Sequence, residues 1–184
     1  DESELAEEGL SWAALLARAL HCSLHLTLVY AYDERAWARA GAAEGATPAA
    51  LASAAAEYLE DVSRREALVG LTVTTEVRAG NVAEQLLLVA AEGDTQMFVV
   101  ASHGEGGMKR WARGSVADEL VRDATIPVLV VRPGISPTLA RMVLPLDGSE
   151  TGEHALATAR SIAAAAGSEL HLLRVINPIG EVAW

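Results

Sequence analysis

The chain repeats itself, and the repeat limits the folds open to it. Residues 1–29 laid over residues 147–175, an offset of 146 without gaps, give twelve identities in twenty-nine positions. They are Asp1/Asp147, Ser3/Ser149, Glu4/Glu150, Glu7/Glu153, Leu10/Leu156 and Ala13/Ala159, then Ala17/Ala163, Ala19/Ala165, Leu24/Leu170, His25/His171, Leu26/Leu172 and Val29/Val175. Only three of these are alanine pairs, so richness in alanine does not account for the match. The apolar run 142–146 (Met-Val-Leu-Pro-Leu) precedes the second copy and reads as a buried strand. The first unit is therefore expected to lack its opening strand. The second is expected to comprise strand, helix and strand, as in a piece of a tandem two-domain protein.

Hydrophobic period supplies the remaining elements. Apolar residues at helical spacing predict a helix over 4–20, with Ser3 as its N-cap. Residues 48–65 read as a second helix, with Thr47 as cap and Pro48 in the first helical position. Further helices are expected over 82–92 and 116–123, and strands over 24–32, 71–77, 97–101 and 127–131. Alternation of strand and helix implies a parallel sheet with helices on both faces. A missing opening strand would be central in such a sheet and would leave a gap between paired strands. The run 142–146 is chemically suited to fill it, from the same chain or a neighbour. Residues 134–140, with Gly134 and Pro137, read as a linker.

Composition narrows the function classes. Apolar residues make up 51% of the 184, enough for a large core. A net charge of −11 disfavours phosphate backbones and anionic lipid as partners, so neither nucleic acid nor membrane is expected. A single cysteine, Cys22, excludes an internal disulfide and any zinc site built on cysteines. The histidines are scattered, and His25 and His171 at equivalent strand positions read as structural. No apolar run approaches the roughly 20 residues needed to span a bilayer, and the Asp-Glu-Ser-Glu opening is unlike a signal peptide. A cytoplasmic setting is expected.

The segment 98–133 carries the chemistry. A strand runs into a Gly-rich stretch, and a helix begins at Gly114-Ser115-Val116. Loops after strand C-termini are where open α/β sheets bind ligands. Glycine lets backbone N–H groups approach an anion, and a helix N-terminus adds unpaired donors and partial positive charge. Ser115 can cap that helix or donate to a phosphate oxygen. Lys109, Arg110 and Arg113 supply local positive charge. These features suit a phosphate cradle over 104–116. The stretch is not a Walker loop, which needs G-x-x-x-x-G-K-[ST], nor a dinucleotide fingerprint, because Lys109 stands where the third glycine belongs.

Gly104, nine residues, then Gly114-Ser115 resembles the G-x2-G-x9-G-[ST] pattern of nucleotide-binding universal stress proteins, with Ala101 at the pattern's first glycine. The run 127–133 (Pro-Val-Leu-Val-Val-Arg-Pro) resembles that family's fifth strand, and Leu146-Asp147-Gly148-Ser149 the end of its first. The resemblance implies a flavodoxin-like, adenine nucleotide alpha hydrolase-like fold: a parallel five-stranded sheet with helices on both faces. It divides the chain into a domain over 1–133 without its first strand, a linker over 134–140, and the start of a second domain over 141–184. It implies ATP binding, with magnesium as an accompanying ion, in a regulatory or sensing role in stress adaptation. Residue by residue, it assigns the nucleotide site to Asp1, Val29, Ala101, Gly104, Gly114, Ser115 and Val116. Asp147 and Val175 match the first part of a second such site. It further implies a homodimer or an intramolecular pseudo-dimer through the edge strand Val128–Val131. No triad or acid/base carboxylate pair supports an enzyme, and ATP hydrolysis would at most be slow. Two other readings stay open: a dimerisation module of the same family that binds no nucleotide, and an adenylating enzyme of the related superfamily.

Overall fold

The computed structural model describes residues 4–30, 47–101, 115–132 and 134–174. Helix α1 (Glu4–Leu20) buries Ala13, Ala14, Leu16 and Ala17, the apolar stripe set by its period. It leads into strand β1 (Leu24–Tyr30). Helix α2 (Pro48–Ser63) starts as the sequence requires: Thr47 Oγ1 accepts from Ala50 N at 3.1 Å, and Pro48 opens the first turn. A 3₁₀ turn (Glu66–Leu68) follows, then β2 (Val73–Ala79), α3 (Val82–Ala91) and β3 (Phe98–Ala101). After these come α4 (Ser115–Asp123), β4 (Val128–Val131), β5 (Arg141–Leu146), α5 (Glu150–Ala166) and β6 (Glu169–Arg174).

The offset of 146 reappears in the backbone, where α1 and α5 begin and end at equivalent positions. Both also end in one way. Cys22 N donates to Ala17 O at 3.1 Å, and Ser168 N donates to Ala163 O at 2.8 Å. These are the closing bonds of a left-handed helix stop, which puts one residue at positive φ. In the second unit that residue is Gly167 (φ 64°), and in the first it is His21 (φ 54°). A Cβ in this conformation costs about 1–2 kcal/mol, partly offset by glycine's greater freedom when unfolded. His21→Gly should therefore raise stability by about 0.5–1 kcal/mol, read as a higher urea midpoint at unchanged slope.

Two apolar clusters hold the layers. On one face of β1, Leu24, Leu26 and Leu28 meet Ala14 of α1 and Leu59 and Val62 of α2. In the second cluster, Ala90 of α3 and Leu120 of α4 enclose Phe98, Val100 and Val128 of β3 and β4.

A single five-stranded sheet is not seen among the described residues. The described strands make three parallel pairs, β1 with β2, β3 with β4 and β5 with β6. No described strand joins β1 to β3, and a cleft lies between them. The expectation that residues 142–146 fill it within the chain is overturned. β5 pairs in its own sheet with β6, from Arg141 opposite Glu169 to Leu146 opposite Arg174. The physical reason is local. Helix α5 returns the chain directly alongside β5, and a strand that enters the gap would have to give up that pairing to meet β1 and β3.

Strand β2 also begins two residues later than alternation predicts. Gly70 at φ 84° and the bond from Leu71 N to Leu68 O hold Leu71 in a turn. The strand then runs on to Ala79, opposite Tyr30.

Candidate functional site

Connectivity gathers the strand ends. α1 runs back against β1, so its first half lies at the C-terminal end of that strand. There a Cβ built on Gly9 would stand 4.0 Å from Ala101 N, at the last residue of β3. β1 and β3 therefore present their C-termini at one end of the molecule. α4 begins at that same end, because it must return the chain to β4, which is parallel to β3. Its first-turn N–H groups and the positive end of its dipole point toward that end.

The sequence-assigned residues fall as follows. Val29 is half-buried in the last turn-ward part of β1, opposite Arg78. Ala101 closes β3 opposite Val131. Ser115 is the first residue of α4, and Val116 is half-buried against the cluster around Leu120. Asp1, Gly104 and Gly114 lie outside the described residues, as do His103, the basic run 109–113 and Val175. Val29, Ala101 and the start of α4 thus share one end of the molecule.

In the second unit, Asp147 is the repeat counterpart of Asp1. Asp147 Oδ1 accepts from Ser149 N at 2.9 Å and from Ser149 Oγ at 2.7 Å. Ser149 in turn caps α5, accepting from Gly152 N at 3.0 Å. The two bonds from Ser149 hold the Asp147 carboxyl below its ordinary value. A Cβ on Gly152 would meet Asp147 Oδ1 at 2.8 Å, so a larger residue there would displace the carboxylate.

A polar cluster not anticipated from the sequence lies on the β1–β2 face near Val29. Arg78 Nε donates to Glu76 Oε1 at 2.8 Å, and its Nη2 donates to both carboxylate oxygens of Glu92 at 2.6 and 2.8 Å. His25 Nδ1 meets Thr74 Oγ1 at 2.7 Å, and its Nε2 meets Glu76 Oε2 at 3.2 Å. The Arg78 side chain is only 15% exposed and is engaged by two carboxylates. It ties β2 to the end of α3. The structural reading of His25 fits this contact, and His171 meets Glu169 Oε1 at 3.1 Å in the second unit. Period two puts Glu76 and Arg78 on one face, which was the signal available in the sequence.

Partial burial acts to raise the Glu76 carboxyl. Hydrogen bonds from Arg78 and His25, and their charges, outweigh it and hold the group below its ordinary value. A depressed carboxyl contributes stability that is present above its unfolded pKa, about 4.3, and lost as pH falls through the lower folded one. The Glu76→Gln chain should be less stable than the parent at neutral pH, by about 1 kcal/mol or less for so open a pair. Urea titrations of both chains should converge as pH drops below the ordinary carboxylate range.

Among the described residues, no three His, Cys, Asp or Glu side chains are grouped to hold a metal ion. No described helix is long and apolar enough to cross a membrane.

Comparison with known proteins places the geometry. The universal stress protein family matches residues 1–132. A universal stress protein of Mycolicibacterium smegmatis is 34% identical over 116 residues, 61% of this chain and 39% of that protein. Universal stress protein YxiE of Bacillus subtilis is 34% identical over 76 residues, 41% of this chain and 51% of that protein. The chain thus spans about half or less of the length of these curated relatives. Among solved structures, a universal stress protein from Archaeoglobus fulgidus superposes with a TM-score of 0.72 at 17% identity, covering 99% of this chain and 66% of that one. The hypothetical protein MJ0577 superposes at 0.56 with 25% identity, covering 74% of this chain and 93% of that one.

Proposed function

Because the chain belongs to the universal stress protein family, we propose that it binds an adenine nucleotide, ATP with magnesium, as a regulatory or sensing module in stress adaptation. The observation that supports this reading is the strand-to-helix passage from Ala101 to Ser115. β3 ends and α4 begins at one end of the molecule, and Gly104, Gly114 and Ser115 stand between or beside them at the spacing of a phosphate cradle. Val29 lies near the end of β1, opposite Arg78, at that same end of the molecule. The tandem arrangement, with a domain over 1–133 and a second begun at 141, belongs to the same reading. So does pairing of domains through Val128–Val131.

The test is nucleotide content. Protein purified without added nucleotide is heat-denatured, and the supernatant is resolved by chromatography and mass spectrometry. The expected result is adenine nucleotide approaching one equivalent, or uptake of ATP with magnesium by protein that was purified empty. A chain that neither retains nor takes up ATP favours a dimerisation module without nucleotide. Pyrophosphate release with acyl substrates would favour the adenylating reading.

A further inference from the structure

Strand β2 is bonded to β1 along one edge. Leu24 N donates to Thr72 O and Gly80 N donates to Tyr30 O, and the register runs without a bulge from Leu24 opposite Val73 to Tyr30 opposite Ala79. Along a strand, successive residues turn their N–H and C=O groups to opposite edges, and a parallel partner takes every second residue. The even-numbered residues of β2 therefore face β1. Val73, Thr75, Val77 and Ala79 turn their peptide groups to the outer edge. No described strand pairs with that edge, and no described backbone group bonds to it.

The sequence does little to close this edge. An unpaired edge is a template for further pairing, and chains guard it with proline, bulges or lysine. The seven residues Val73–Ala79 carry none of these. Val73 and Val77 turn to the apolar face, against the cluster of Leu59, Val62 and Leu68. The charges of the strand, Glu76 and Arg78, stand two residues apart on the other face and are bonded to each other. One side of the strand is thus apolar and the other carries one charge of each sign.

Two copies of this edge complement each other in one register. A two-fold axis makes the two strands antiparallel, and the outward parity sets odd residues opposite odd ones. Registers that place Glu76 opposite Glu76 of the second copy, or Arg78 opposite its Arg78, bring like charges together, which is destabilising. With Val77 on the axis, Glu76 falls opposite Arg78 of the second copy, and Arg78 opposite its Glu76. Both are non-hydrogen-bonded pairs, the kind that brings side chains closer. In the same register Val77 exchanges both main-chain bonds with its counterpart, and Thr75 does so with Ala79 of the second copy. The two Val77 side chains meet on the apolar face.

We propose that the outer edge of β2 is a self-association surface whose partner is a second copy of this chain, antiparallel about Val77. The sheet then continues from one copy into the other, with main-chain bonds for affinity and the two Glu76–Arg78 pairs to fix the register. This surface is distinct from the Val128–Val131 edge, which belongs to β4, and it forms whether or not nucleotide is bound.

The test follows the 184-residue chain through a dilution series by analytical ultracentrifugation and amide exchange. A monomer–dimer equilibrium should appear between about 1 μM and 1 mM. As the dimer fills, exchange at Thr75, Val77 and Ala79 should slow by about tenfold or more, while Thr74, Glu76 and Arg78, which face β1, change little. Thr75→Pro removes an outward donor and spares the bonds to β1, so it should weaken association by about tenfold or more at a urea midpoint near the parent's. Glu76→Gln removes the carboxylate from both cross-strand pairs and should weaken association by about three- to tenfold. A register with Glu76 opposite itself requires the reverse, tighter association of Glu76→Gln. The proposal is overturned by a chain still monomeric at about 1 mM, by protection confined to Val128–Val131, by undiminished association of a folded Thr75→Pro chain, or by unchanged or tighter association of Glu76→Gln. Should Thr75→Pro fail to fold, the exchange pattern of the parent and the sign of the Glu76→Gln effect decide.

Discussion

Replacing Leu120 by alanine should lower the unfolding free energy by about 3–5 kcal/mol, the largest loss expected of any single side chain here. Leu120 is 0% exposed and belongs to a cluster with Ala90 and Phe98. Val116, Ile126 and Val128 are among the partly buried residues packed against that cluster. Truncation would leave a cavity between α4, α3 and β3, bounded by the backbone of three elements that cannot easily collapse. Sheet pairing offers little compensation, because β3 is joined to one described strand only. The loss would be read as a fall in urea midpoint at unchanged slope. A change below about 1 kcal/mol would mean that α4 is not fixed through Leu120. The consequence reaches the site, since Leu120 is what seats the helix whose first residue is Ser115. Nucleotide uptake should weaken in this variant even at temperatures where it remains folded.

What could be read from the sequence was whatever depends on local period or on the repeat. The bounds of α1 follow from one apolar stripe, and those of α5 from the same stripe displaced by 146. The equivalence of β1 and β6 followed from comparing the two copies. The destination of β5 did not, because its composition suits either sheet. What decides is that α5 delivers β6 to its edge. The start of β2 was misplaced because alternation is blind to a turn closed by Leu68 O and a positive φ at Gly70. Arg78 was overlooked because its partners come from two elements: Glu76 is two residues away, and Glu92 lies beyond α3. For the site, spacing alone carried Gly104, Gly114 and Ser115. The described backbone adds only that Ala101 and Ser115 end and begin their elements at the same end of the molecule.

That placement makes the glycines the sharpest probe of the proposed function. A phosphate held by backbone N–H groups needs the chain within hydrogen-bond distance of its oxygens, and any Cβ on that surface occupies the anion's own space. Gly114→Leu should therefore weaken ATP binding by about a hundredfold or more, since several charge-assisted bonds are lost together. Ser115→Ala removes one hydroxyl donor and should cost about tenfold. The opposite sign is expected at Ala101, whose methyl stands where the family's pattern has glycine. Ala101→Gly should tighten binding by a few-fold, the size of relieving one crowded contact. Titration calorimetry with ATP and magnesium on the four chains tests the ordering, with urea midpoints to show that each is folded. If all four bind alike, the nucleotide sits elsewhere. If none binds, including Ala101→Gly, the chain is a pairing module whose strand-to-helix passage retains the spacing without the use. A graded series, with Ala101→Gly tightest and Gly114→Leu weakest, is the result that a phosphate cradle at the start of α4 requires.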